Sequence, residues 1–379
     1  MTRTGQNRLR WILAALVSFL GAGLVLGFLV AWSGLFSVAA SRGHWAVIDW
    51  FMTFGMRNSV ETHARNVSVP PGLDNPNLVS LGAAHFHGRC ADCHGAPGIP
   101  LSPIAQAMLP PPPDLSHAAK AWRDNELFWI VHNGLKYTGM PAWPAPQRED
   151  EVWAIVAFLK RLPDLDVAQY RELALGGVQI PLRTGRQIAV NETTSGAVSA
   201  CARCHGADDR GPSSDLVPLL HGQSQAYLTE ALDAYATGQR PSGIMQPVAA
   251  DLPQQVRREV AEYYAGLPMP DIERVSSTAA PGSVIRGRTL VEEGDADRAI
   301  PPCLSCHDSS ARESYPRLIG QNASYTANRL RTLKRQPSAL SDGEAIMAPI
   351  AKLLTDQDIE AASVYFQSLR PMDKNSQRQ

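Results

Sequence analysis

All six cysteines of this chain fall in one pattern that occurs three times. Cys90-Ala91-Asp92-Cys93-His94 is the first copy, Cys201-Ala202-Arg203-Cys204-His205 the second, and Cys303-Leu304-Ser305-Cys306-His307 the third. The two thiols of a CxxCH can add to the two vinyl groups of one haem and form thioethers. The adjacent histidine is then held under the iron as proximal ligand. Other chemistries explain less. A thioredoxin-like CxxC is usually single and carries no obligatory histidine. Structural zinc would require the Cys pairs to converge, and copies spaced about 100 residues apart recur too evenly for that. Three disulfides would leave the three histidines unexplained. The pattern therefore points to three covalently bound haem c groups. Cys90, Cys93, Cys201, Cys204, Cys303 and Cys306 would attach them, and His94, His205 and His307 would be the proximal iron ligands.

The sixth iron ligand decides whether a haem carries electrons or binds small molecules, and methionine there raises the potential and closes the site. One methionine follows each CxxCH among Gly or Pro residues. Gly139-Met140-Pro141 comes 46 residues after His94, Ile244-Met245-Gln246-Pro247 comes 40 after His205, and Ile346-Met347-Ala348-Pro349 comes 40 after His307. Met140, Met245 and Met347 are accordingly expected as axial ligands, each in a loop. Met108, in a proline-rich stretch, is the rival of Met140. His85, His87, His132 and His221 are expected to pack or hydrogen-bond rather than bind iron. The proximal histidine also needs its other ring nitrogen bonded, and a proline carbonyl is a stiff acceptor for it. Pro218 and Pro316 occupy matching places in Pro218-Leu219-Leu220-His221-Gly222-Gln223 and Pro316-Arg317-Leu318-Ile319-Gly320-Gln321, with Pro113 as the nearest analogue in the first copy.

These groups must be carried by helices. Each CxxCH is preceded by a helical stretch and followed, beyond the methionine, by a clearer one. Asp150 to Leu162 opens with acids, closes with bases and is stopped by Pro163; Pro253 to Leu267 and Thr355 to Leu369 behave alike. Their aromatics, Trp153 and Phe158, Tyr263 and Tyr264, Tyr365 and Phe366, are expected to pack on the haem or on the preceding helix. No alternating strand pattern stands out. The expected fold is all-α, in small units whose marginal apolar cores a buried haem would enlarge. The second and third units align over Pro-x-Leu-x-Gly-Gln, then Tyr227 or Tyr325, then the Ile-Met-x-Pro segment, and form an internal repeat.

The N-terminus carries Arg3, Arg8 and Arg10, and no charge follows from Trp11 to Ala40. That run exceeds the apolar core of a cleavable signal, so a retained transmembrane helix is preferred over cleavage at Val38-Ala39-Ala40. The arginines would stay in the cytoplasm and the rest would lie outside. The aromatic stretch 44–58 suits either the bilayer interface or packing on the first unit. The resulting division is a cytoplasmic N-terminus 1–10, an anchor 11–40, a juxtamembrane segment 41–77, haem domains 78–165, 185–268 and 283–371 joined by linkers 166–184 and 269–282, and a tail 372–379.

The composition agrees. The 379 residues are 44% hydrophobic and 19% charged, which excludes a disordered chain and a polytopic membrane protein. Thirty-five basic residues against 36 acidic ones give a net charge of -1, which argues against nucleic-acid binding.

From about residue 78 to 370 the sequence resembles class I cytochromes c, through its three CxxCH motifs, its paired Pro-x-Leu-x-Gly-Gln segments and its Ile-Met-x-Pro segments. The second and third units resemble the tandem dihaem cytochromes c. The first is similar to cytochrome c domains attached to respiratory membrane complexes. The resemblance implies three class I cytochrome c-like haem domains in the bacterial periplasm, which the N-terminal transmembrane helix read from residues 11–40 would hold to the inner membrane. It implies an electron carrier rather than an enzyme, transferring electrons in a respiratory chain. The partner would be a terminal oxidase or quinol-oxidising complex; the alternative is a cytochrome subunit of a membrane-bound alcohol, aldehyde or sugar dehydrogenase that passes electrons to quinone. A haem enzyme with an open iron is disfavoured by the three methionines. Two departures stand out: Asp308 follows the third CxxCH where Gly95 and Gly206 follow the others, and Glu292 to Pro302 reads as an insertion.

Overall fold

The computed structural model describes residues 3–35, 37–176, 194–270, 281–308, 312–335 and 342–369. The tail 372–379, residues 177–184 of the first expected linker and most of the second lie outside the described residues, as does the start of the second expected domain. Among the described residues there is no strand, only two isolated bridges, Ala96 with Ile99 and Asp295 with Ile300. The fold is all-α: an N-terminal apolar helix followed by three helical units.

Helix α1 (Arg3–Ser33) contains a stretch, Arg10–Ser33, of 24 residues with mean hydropathy 2.5 and none of it buried. At 1.5 Å per residue it is about 36 Å long, enough to cross a ~30 Å hydrocarbon layer. It ends earlier than the sequence boundary at 40, because Gly34 turns the chain at φ +70°. Helix α2 (Ala46–Ala64) carries the aromatic stretch. Its first half leaves Trp50, Phe51 and Phe54 exposed, whereas Val60 and Ala64 are buried near its end. That end packs on helix α4 of the first unit (Asp124–Asn133), where Asn125 Nδ2 donates to the Ala64 carbonyl at 2.8 Å.

The first unit is built from α3 (Pro76–Arg89), α4, α5 (Glu149–Arg161) and α6 (Val167–Leu175). The Asn75 side chain caps α3 and Pro76 opens it. α3 crosses α5 at Gly82, where a Cβ would stand 2.0 Å from the Ala154 carbonyl oxygen, so only glycine permits the approach. Residues 167–175, expected in a linker, instead form α6. Asp166 caps it, and Tyr170 and Ala174 are buried in the first core.

The second unit holds α7 (Thr194–His205), α8 (Gln225–Ala236), α9 (Met245–Ala250) and α10 (Gln254–Gly266). The third holds α11 (Pro281–Glu292), α12 (Ala323–Arg335), α13 (Asp342–Leu353) and α14 (Asp356–Ser368). α11 crosses α14 at Gly287, where a Cβ would lie 2.2 Å from the Ala361 carbonyl oxygen. The stretch after Glu292 turns at Gly294 (φ +79°) and is pinned by Arg298, which donates to Asp295 and to the buried Asp358 at 2.7 Å each. Gly95 and Gly206 take φ +68° and +70°, a left-handed turn that an L side chain resists; Asp308 leaves the third motif in extended conformation, φ -75°.

The second and third units face each other with pseudo-twofold hydrogen bonding. Gln321 accepts from Leu219 N (2.8 Å) and donates to Leu219 O (3.0 Å), and Gln223 accepts from Arg317 N (3.0 Å) and donates to Arg317 O (2.6 Å). Leu219 and Arg317 occupy the same place in the repeat, so one contact is made twice.

Candidate haem-binding sites

Each CxxCH histidine is oriented by a proline carbonyl. His94 Nδ1 lies 2.8 Å from Pro113 O, His205 Nδ1 3.0 Å from Pro218 O, and His307 Nδ1 2.8 Å from Pro316 O. A carbonyl only accepts, so each Nδ1 carries the proton and each Nε2 presents a lone pair to a metal. Burial lowers the pKa of all three rings, against the opposing pull of the carbonyls, and keeps them neutral as ligation requires. Burial also pushes the Cys90 and Cys201 thiols up to about 12 and Cys303 to about 11. No disulfide joins the cysteines, and among the described residues no three His, Cys, Asp or Glu side chains converge on a bare ion.

In the third unit the structure brings the expected residues together. Cys303, Cys306, His307 and Met347 line one cavity, walled by Leu318, Leu330, Leu333, Ile346 and Ile350. Tyr227 and Arg240 of the second unit reach into it. Arg240 donates from Nη1 to Tyr227 OH and from Nη2 to Tyr325 OH, both at 3.2 Å, while its buried Nε has no partner. A desolvated guanidinium with an unspent donor is costly and calls for an anion. Haem fits: an apolar macrocycle for the walls and propionates for the guanidinium.

The methionine segments differ from the loops expected. Met140 is in a loop shaped by Thr138, whose hydroxyl donates to Leu135 O (2.7 Å) and accepts from Met140 N (3.1 Å). Met245 instead opens helix α9, and Met347 lies inside α13 two residues before Pro349. Met108 sits close to the first of these, since a Cβ on Gly139 would lie 3.1 Å from its sulfur. The four histidines expected to pack or hydrogen-bond, His85, His87, His132 and His221, have partners. His85 is buried edge-on to Trp143 at 5.1 Å, and burial, with Arg89 and Arg203, lowers its pKa to about 3. His87 Nδ1 meets Tyr170 OH at 2.9 Å, His132 Nε2 meets Pro146 O at 2.9 Å, and His221 Nε2 meets Asp208 O at 3.2 Å.

The aromatics of the C-terminal helices pack on neighbouring helices and turns. Phe158 packs on Phe86 of α3 (5.1 Å) and Trp153 stacks on Phe128 (4.3 Å). Tyr264 OH donates to Gly206 O at 2.7 Å, which ties α10 to the turn after the second CxxCH. Sequence reasoning missed Arg240 and the reciprocal Gln223 and Gln321. The repeated Gly-Gln pair was the available signal for the latter; Arg240 has no counterpart pattern.

Residues 77–159 match the family model described as Cytochrome C oxidase, cbb3-type, subunit III. A thiosulfate dehydrogenase electron acceptor from Stutzerimonas stutzeri is 32% identical over 192 residues, half of this chain and 88% of that protein. Cytochrome c4 from Pseudomonas aeruginosa is 32% identical over 193 residues, 49% of this chain and 92% of that one. The crystal structure of reduced recombinant cytochrome c4 from Pseudomonas stutzeri is 28% identical, covers 47% of this chain and 97% of its own, and superposes with a TM-score of 0.41.

Proposed function

The chain belongs to the multihaem class I cytochromes c, electron-transfer proteins with covalently bound haem c, and we propose that it is a membrane-anchored trihaem carrier that moves electrons along the periplasmic face to, or within, a terminal oxidase. One haem is attached at Cys90 and Cys93, one at Cys201 and Cys204, and one at Cys303 and Cys306, with His/Met pairs His94–Met140, His205–Met245 and His307–Met347 on the irons. The observation that carries this is the third cavity, where both cysteines, the carbonyl-oriented His307 and Met347 meet around an apolar space with an unpaired guanidinium donor. Bound there, haem would supply one-electron Fe(III)/Fe(II) chemistry, and His94, Met140, His205, Met245, His307 and Met347 would hold the irons without an open site for substrate.

The oxidase-subunit family match of the first unit favours an oxidase as acceptor. A second reading rests on the relatives called thiosulfate dehydrogenase electron acceptors, and makes a periplasmic dehydrogenase the electron source. Helix α1 holds the chain to the bilayer, and the exposed aromatics at the start of α2 lie at its surface. Mild-detergent purification from the native membrane, with mass spectrometry of what comes along, tests the partner. Haem-copper oxidase subunits are expected. A quinoprotein, flavoprotein or sulfur-compound dehydrogenase without any oxidase would overturn the acceptor assignment.

A further inference from the structure

The second unit's methionine segment is not held by its own unit alone. Glu151 projects from the first turn of α5, in the first unit, and its side chain is 4% exposed. It accepts from Ser242 Oγ and from Gly243 N, each at 2.6 Å. Ser242 Oγ in turn accepts from Met245 N at 3.0 Å. One relay therefore runs from a carboxylate of the first unit, through one hydroxyl, to the backbone of the expected iron ligand. Arg148 neutralises Glu151 at 2.9 Å and donates to the Pro241 carbonyl at 3.3 Å, so the charge is paired where it is buried. Trp143, three residues after Met140, lies over Gly243 so closely that a Cβ there would stand 2.1 Å from its ring, and Ile244 packs on the first unit's core.

The internal repeat supplies the control. The third unit has Glu344 where the second has Ser242, and Ala345 where the second has Gly243. The two methionine segments thus differ at the positions that meet the first unit.

We infer that Glu151 is a positioning residue for the second haem: the first unit, through Glu151 and Ser242, sets the placement of Met245. This rests on the proposed ligation of that haem by Met245. Loss of the hydroxyl or the carboxylate frees the Met245 backbone, weakens the sulfur–iron bond and lowers the potential of one haem only, since methionine ligation is what raises it. The methionine segments of the first two units are direct neighbours through Trp143 and Gly243.

The test is a spectroelectrochemical titration of the detergent-solubilised full chain carrying Ser242→Ala, Glu151→Leu or Met245→Ala. Met245→Ala identifies the second haem as the one whose midpoint falls, with loss of about one third of the sulfur-to-iron charge-transfer band. Ser242→Ala and Glu151→Leu are expected to lower that same midpoint and leave the other two in place. Should Glu151→Leu fail to fold, Ser242→Ala, which deletes a single oxygen, carries the test. An unchanged midpoint in a folded Ser242→Ala chain overturns the positioning role while leaving Met245 ligation standing. An unchanged band and midpoint in Met245→Ala overturns the ligation, and the positioning role with it.

Discussion

A histidine whose Nδ1–H is spent on a proline carbonyl has only Nε2 left for iron, and that arrangement occurs at His94, His205 and His307 alike. Pro218 and Pro316 were legible because they share a place in a repeat. Pro113 was legible only as the last proline of a run, and Glu151 was not legible at all. In the sequence Glu151 is one more acid in the first turn of a helix, where acids favour the dipole; only the fold reveals that it faces another unit. The methionines make a sharp residue-scale prediction. Reduced wild-type chain at neutral pH should bind no carbon monoxide if the proposed methionines close every iron. Met140→Ala should open one iron and take up about one carbon monoxide per chain, whereas Met108→Ala, beside the same loop, should take up none. Uptake by Met108→Ala but not by Met140→Ala, read from the Soret difference spectrum, would exchange their roles.

Helices were read well where a cap or a stop marked them, as at Thr355, which accepts from Asp358 N at 3.1 Å, and at Pro163. They were misread where tertiary packing decides. Residues 167–175 look like a linker until Tyr170 finds His87, and Met245 and Met347 look like loop residues because nearby glycines and prolines break the pattern. Pro349 is tolerated inside α13 in spite of its missing N–H. The glycines at the two tightest crossings carry an element-scale prediction. Gly82→Ala and Gly287→Ala put a methyl into the facing backbone carbonyl and should destabilise the haem-loaded chain by about 1–3 kcal/mol. Gly55, in the open part of α2 with nothing within 4 Å, gives the reverse sign: Gly55→Ala should be neutral or stabilise by up to about 1 kcal/mol through helix propensity alone. Thermal unfolding followed at the helical circular dichroism band distinguishes them, and equal melting temperatures for Gly82→Ala and wild type would show that the α3–α5 crossing is looser than described.

At the scale of the whole molecule the second unit is the centre. It meets the first at Arg89–Asp251 (2.8 Å) and at the Glu151 relay, and it meets the third through the reciprocal glutamines and Arg240. Asp215 touches both neighbours: its side chain accepts from Asn77 Nδ2 (3.2 Å) and its carbonyl from Tyr325 N (3.0 Å). Three small units that would each be marginal alone are thereby joined into one body beside a single apolar helix. The sequence repeat revealed that the second and third units are alike, but not that they clasp through Gln223 and Gln321, because a glutamine's partner across 102 or 94 residues leaves no local pattern. The contacts run from first to second to third, the order that the proposed chain of electron transfers through three haems would follow. That chain exists only if every CxxCH is loaded. The most direct measurement is the intact mass of the full chain purified from its native membrane, with haem content counted by the pyridine haemochrome method. The prediction is one polypeptide carrying three covalent haem additions, and a fully matured chain that carries two or fewer would contradict it.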